Sequence, residues 1–302
     1  MAEFSSHVPG TFSWPELATT DQKGGVQFYR SLFGWDVNEQ PIGPDGVYSM
    51  FTLRGKEVAA AYTMRPEERQ HGAPPHWNMY VTVANVDESA KKAESLGAKV
   101  FAPPFDVMDV GRMAVLQDPT GAIFQIWEAR KHIGAKILNE PGALVWSELT
   151  TRDTKAAESF YTSLFGWTAK HAAPGSPMEY TEFHNQGKPG VGMMPMPSQV
   201  PAQVPSYWMP YFQVNDCDAS TDTAKQIGAH AMVGPQDIPG TGRFAILTDP
   251  QRSKAEAFPE ECLKAGLSIS APQISGPLSV PGGDPSVRQT VNLFEVRPNF
   301  RD

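Results

Sequence analysis

Two glutamates carry the chemistry that can be read from this sequence. Glu16 lies in Trp14-Pro-Glu-Leu and Glu148 in Trp146-Ser-Glu-Leu, and one shift of 132 residues (146 − 14 = 148 − 16) relates the two stretches. A strand turns successive side chains to opposite faces, so each glutamate shares a face with the tryptophan two positions before it. A carboxyl group held against aromatic rings and away from water has a raised pKa and can serve as a general acid or base. The bland alternative is that the same carboxylates brace the sheet, tied to backbone N–H groups or to Arg112 or Arg243. The two tryptophans likewise have two readings, as a stacking floor for a flat ligand or as fillers of empty volume.

Other chemistries find little support. The seven histidines do not cluster and are read as exposed. Cys217 and Cys262 are the only cysteines, too few for a disulfide framework or a zinc cluster, and Cys217 sits between Asp216 and Asp218, which oppose a thiolate. Met193-Met-Pro-Met196 has no Cys or His beside it and reads as apolar lining rather than a copper site. No phosphate-binding glycine loop and no nucleophile elbow occurs. The net charge of −8, with no basic stripe, argues against nucleic acid and anionic membrane as partners. No apolar run reaches membrane-spanning length, and the first residues lack a signal pattern, so a reducing cytoplasm is the expected location.

The elements that must position the glutamates come as repeats. Trp14 is followed by Thr19-Thr-Asp21, Phe28-Tyr29 and Ser31-Leu-Phe-Gly-Trp35; Trp146 is followed by Thr151-Arg-Asp153, Phe160-Tyr161 and Ser163-Leu-Phe-Gly-Trp167. A second motif set recurs at 131 (208 − 77): Trp77, Tyr80, Asp87, Gly111-Arg112 and Asp118-Pro119 return as Trp208, Tyr211, Asp218, Gly242-Arg243 and Asp249-Pro250. Each set reads as strand, helix and three strands, with Asp21 as an N-cap and Gly34 as a left-handed stop. The expectation is an α+β chain of four β-α-β-β-β units, paired over 10–130 and 142–258 with a linker at 131–141. The agreement stops after Pro250: where the first half has Gly121-Ala-Ile-Phe-Gln-Ile-Trp127, the second has Arg252-Ser-Lys-Ala-Glu-Ala-Phe258. The last strand is therefore expected to be missing, with 259–302, rich in Ser, Pro and Gly, as an unstructured tail, and truncation after Pro250 is expected to change pocket function little. Residues Met1 to Pro9 read as a loose leader.

These motifs resemble the vicinal oxygen chelate superfamily of glyoxalases, bleomycin-resistance proteins and extradiol dioxygenases, and within it the two-domain, four-unit glyoxalase-like members also labelled hydroxylases. The resemblance covers about residues 10 to 250 and rests on the Phe-Tyr-x-x-Leu-Phe-Gly-Trp helix end and the Asp-Pro-x-Gly turn. It implies two mixed sheets, each curled from a pair of units into a cup, with Glu16 and Glu148 inside. Tyr80, Tyr211, Gln125 and Gln213 point into the cups by strand parity, to orient a ligand or to finish a polar core network. The resemblance also implies a divalent metal, with ligands seven residues before the Asp closing the first strand and seven after the Asp of Asp-Pro-x-Gly. Counting places Trp14, Asn78 and Gln125 in the first cup and Trp146, Met209 and Glu256 in the second. Iron, zinc, nickel and manganese want imidazole and carboxylate donors, so the metal positions are not filled and no cofactor is expected. Two functions remain: an aromatic-lined, metal-free cup that binds a small organic molecule, or a glyoxalase-like lyase or dioxygenase-type enzyme. The enzyme would use Glu16 and Glu148 as acid/base, or a metal not evident in the sequence. A four-unit chain can close two cups alone, as a monomer or in a homodimer.

Overall fold

The computed structural model describes residues 3–42, 46–70, 73–173, 179–198, 200–238, 241–251 and 290–296. The first unit is β1 (Phe12–Thr19), α1 (Gln22–Phe33), β2 (Asp36–Pro41), β3 (Val47–Leu53) and β4 (Lys56–Thr63). A short helix α2 (Pro66–Gln70) leads to the second, made of β5 (His76–Thr82), α3 (Val86–Ser95), β6 (Lys99–Val107), β7 (Gly111–Gln117) and β8 (Ile123–Ala129). The third is β9 (Leu144–Thr151), α4 (Thr154–Phe165), β10 (Thr168–His171), β11 (Thr181–Asn185) and β12 (Lys188–Pro195). The fourth is β13 (Tyr207–Gln213), α5 (Cys217–Gln226), β14 (His230–Ile238), β15 (Gly242–Thr248) and β16 (Thr290–Val296).

Local chemistry sets the helices as the sequence implied. The carboxylate of Asp21 accepts the Gly24 N–H, and Gly34 closes α1 at φ 67°, a conformation that costs a residue without Cβ little. Asp153 and Gly166 do the same for α4. Consecutive units join inside the chain. β1 runs antiparallel to β5 and β9 antiparallel to β13, giving two eight-stranded mixed sheets in the orders β2-β3-β4-β1-β5-β8-β7-β6 and β10-β11-β12-β9-β13-β16-β15-β14.

The second order corrects the expectation of a missing strand. β16 lies between β13 and β15, parallel to the first and antiparallel to the second, in the place β8 holds in the first sheet. Its residues Val291-Asn-Leu-Phe-Glu295 stand where Phe124-Gln-Ile-Trp-Glu128 stand, and Glu295 accepts the Cys217 N–H as Glu128 accepts that of Val86. A strand in that slot satisfies both open edges and buries Val291 and Leu293 completely. Residues 252–289, which include most of the presumed tail and Glu256, lie outside the described residues.

The halves are fastened reciprocally. Tyr29 on α1 donates to Asp249 of the second half (2.7 Å), and Tyr161 on α4 donates to Asp118 of the first (2.8 Å). The Trp77 and Trp208 indoles donate to those same hydroxyls, and Trp35 and Trp167 reach the carbonyls of Gly142 and Gly10. The repeated Phe-Tyr helix end and the Asp-Pro turn are thus partners across the two halves. Leu17, Trp77, Phe212 and Leu293 pack into one core that both sheets share.

Candidate functional site

Side chains at paired positions of neighbouring strands share a sheet face. Glu16 pairs with Asn78, Trp14 with Tyr80, and Tyr80 with Gln125, so all five lie on one surface. In the second sheet Glu148 pairs with Met209, Trp146 with Tyr211, and Tyr211 with Asn292. Asn292, not Glu256, therefore stands at the position of Gln125. Gln213 is half-buried at the end of β13, where its backbone bonds Ala143 and Gly142.

In the first cup Tyr48 donates to Glu16 Oε1 and Tyr80 to Oε2, each at 2.7 Å, while the Asn78 amide approaches Oε2 at 3.4 Å. The Trp14 indole in turn donates to Tyr48 at 3.2 Å. Gln125 spans Asn78 Oδ1 (2.8 Å) and the Met79 N–H (3.0 Å), and Asn78 also donates to Tyr62. The second cup repeats the centre: Tyr180 donates to Glu148 Oε2 (2.9 Å), Tyr211 to Oε1 (3.0 Å) and Trp146 to Tyr180 (2.9 Å). Gly192 lies opposite Glu148, where a Cβ would overlap the Tyr180 hydroxyl and crowd the Trp146 ring. Each carboxyl is thus clamped by two phenols, one of them backed by an indole.

Burial raises Glu16 above its ordinary 4.5, with Tyr48, Tyr80 and Asn78 pulling the other way. It raises Glu148 too, against Tyr180 and Tyr211. All four phenols are pushed well above 10 by burial and by the adjacent carboxylate, so they stay protonated donors. Neither arginine braces the glutamates: Arg112 holds Asp87 and Asp106, and Arg243 holds Asp218 and Asp237, with the carboxylates largely exposed. Burial first, and then Asp218, pushes the Cys217 thiol up to about 12, which leaves it inert.

Sequence reasoning missed Tyr48 and Tyr180, although they stand at the repeat offset (180 − 48 = 132), because they reach the glutamates from β3 and just before β11. It also missed two histidines. His132, between the halves, lies edge-on to Trp14 with centroids 4.6 Å apart, and His76 is half-buried with Nε2 3.1 Å from Asn78 Oδ1. The residues read as a loose leader pack on the same link: Phe4 N–H bonds Lys136 O and His7 bonds Ala135 O.

The donors present do not suit the divalent metal of the resembling proteins. Each glutamate is occupied by two O–H donors, and its neighbours are Trp, Asn, Gln or Met. Among the described residues no three His, Cys, Asp or Glu gather as ligands.

Comparison with known proteins agrees with this architecture. The family described as "Glyoxalase/Bleomycin resistance protein/Dioxygenase superfamily" matches residues 11–126 and 134–256. "Putative glyoxylase CFP32" of Mycobacterium tuberculosis (strain CDC 1551 / Oshkosh) is 41% identical over 254 residues, 83% of this chain and 95% of the relative. "Anthracycline biosynthesis protein DnrV" of Streptomyces peucetius is 32% identical over 253 residues, 80% of this chain and 90% of the relative. Among solved structures, the Mn(II)-bound glyoxalase from Novosphingobium aromaticivorans superposes with TM-score 0.56 at 13% identity, over 95% of this chain and 82% of that one. A mutant 4-hydroxymandelate synthase from Streptomyces coelicolor gives 0.58 at 12%, over 98% and 95%. The two family matches, the four-unit repeat and the paired cups together make this chain a member of the glyoxalase/bleomycin resistance/dioxygenase superfamily.

Proposed function

We propose that the protein binds a flat, hydroxylated aromatic molecule in an aromatic-walled cup, without a resident metal ion. The observation that carries this reading is the Trp–Tyr–Glu–Tyr cluster, present in both halves at the base of the cup. It lines the cup with aromatic rings around a polar centre, the mixture that a flat ligand with a polar edge needs. The relative named for anthracycline biosynthesis supports the ligand class, since anthracyclines are planar, hydroxylated ring systems. Two cysteines and a soluble-type composition fit a cytoplasmic protein, acting as a monomer or homodimer with no nucleic acid or membrane partner. The test is a thermal-shift screen of planar phenols and quinones beside plasma mass spectrometry of the purified protein. Binding without near-stoichiometric metal is expected. Stoichiometric iron, nickel, manganese or zinc would overturn the metal-free reading, and a screen without stabilisation would overturn the ligand class.

One observation favours a second reading, an enzyme. Burial holds both glutamates closer to neutrality than ordinary carboxylates, as a general acid or base requires. Under it, Glu16→Gln with Glu148→Gln removes turnover and largely spares binding; loss of binding with no turnover in the parent protein favours the binding module.

A further inference from the structure

The repeat makes the two cups comparable position by position, and they differ where it matters. In the first, every polar group the sheet presents is engaged: Asn78, Gln125, Tyr62, Tyr48 and Tyr80 bond one another, Glu16 or Glu68. His132 lies across Trp14, which is only 4% exposed. In the second, Met209 replaces Asn78 and Met194 replaces Tyr62 (194 − 62 = 132), while Trp146 is only half-buried.

Among the described residues two buried atoms on this face lack a partner, Thr150 Oγ1 and Asn292 Oδ1, and the second lies beside Tyr211. Pro210 stands at the position of Met79 and has no N–H to offer, so the Asn292 amide turns to donate to the Pro210 carbonyl at 2.8 Å. In the first cup the matching oxygen, Gln125 Oε1, accepts the Met79 N–H while its amide donates to Asn78; the second cup has Pro210 without an N–H and a thioether at Met209, so neither partner is present. Asn292 is wholly buried, and Oδ1 accepts no hydrogen bond among the described residues. A buried amide oxygen without a donor penalises the free protein, and a ligand that brings a donor relieves it. His132 Nε2 is also unpartnered, but it belongs to the segment covering the first cup and not to the sheet.

Building on the binding reading above, we propose that the second cup is the ligand site and that it selects a hydroxyl on the edge of an aromatic ring, donated to Asn292 Oδ1. The ring lies among Met209, Tyr211, Phe244 and Phe294, with Trp146 at its border. One ligand binds per chain, and the first cup stays closed.

Isothermal titration with 7-hydroxycoumarin and 7-methoxycoumarin, at slightly acidic pH where the phenol keeps its proton, tests this. The expected result is one site per chain and a preference of about 3- to 10-fold for the hydroxyl probe, the range one hydrogen bond supplies. Asn292→Leu should abolish the preference by lowering only the hydroxyl probe's affinity. Pro210→Ala, which restores the main-chain N–H that meets Gln125 in the first cup, should abolish it by a different route; circular dichroism checks the fold of both. Equal affinity of the wild-type chain for the two probes, or a preference that survives both substitutions, overturns the inference and leaves the aromatic-cup reading standing. No binding of either probe overturns both.

Discussion

Ending the chain after residue 289 removes β16 and should unfold the second half. The strand buries Val291 and Leu293 completely and leaves Phe294 8% exposed. At about 1.5–3 kcal/mol for each large apolar side chain, their loss removes roughly 5–9 kcal/mol. Whole domains are stable by only about 5–15 kcal/mol, so little would remain. The deletion also bares one edge of β15 from Gly242 to Thr248, with β14 left on the other, and the edge of β13 opposite β9. Leu293 shares a core with Leu17, Phe28 and Tyr29, so the damage extends to the first half. Urea denaturation followed by far-ultraviolet circular dichroism and tryptophan fluorescence is the assay. The truncated chain should show a reduced helical and sheet signal and a broad, early transition. A sharp transition at the full chain's midpoint would refute the placement of β16 and the burial argument with it.

Tyr161→Phe leaves the buried Asp118 without its phenol donor and should cost about 1–3 kcal/mol in chemical denaturation, and Tyr29→Phe should do the same through Asp249. Because burial raises Glu16 and Glu148 above 4.5, the native chain keeps protons that the unfolded chain releases. Their contribution to stability is full below about pH 4.5 and is lost as pH rises through the raised values, so melting scans of Glu16→Gln with Glu148→Gln should decline less toward neutral pH than the parent. Arg112→Ala should leave the melting temperature nearly unchanged, since its partners Asp87 and Asp106 are solvent-exposed; a large drop would reinstate the arginine as a sheet brace.

The constant offsets made the four units legible, because motifs that hold one spacing through two halves leave few ways to arrange short strands and capped helices. They did not reveal β16, whose offset jumps from 131 to 167 (292 − 125) across residues 252–289. The signal was nevertheless present, in Val291-Asn-Leu-Phe-Glu295 against Phe124-Gln-Ile-Trp-Glu128. The glutamates were legible as candidates because Trp-x-Glu-Leu recurs. Their partners were not, because parity along one strand says nothing about which tyrosine arrives from a strand further across the sheet. The arginine brace misled for a related reason: Arg112 and Arg243 recur with their aspartates, and a recurring ion pair on the surface looks, in sequence, like one in the core.

The position of β16 also decides the order in which the protein can be made. β5 meets β8 with 40 residues or so of intervening chain, and the first sheet is complete once Ala129 has been synthesised. The second sheet stands open between β13 and β15 until residues 290–296 have left the ribosome and entered a slot whose two walls were made earlier. During that interval two strand edges and the inner face of the second cup are accessible to any other nascent chain. The tyrosine and aspartate ties between the halves are contacts able to hold the unfinished sheet in place until β16 arrives.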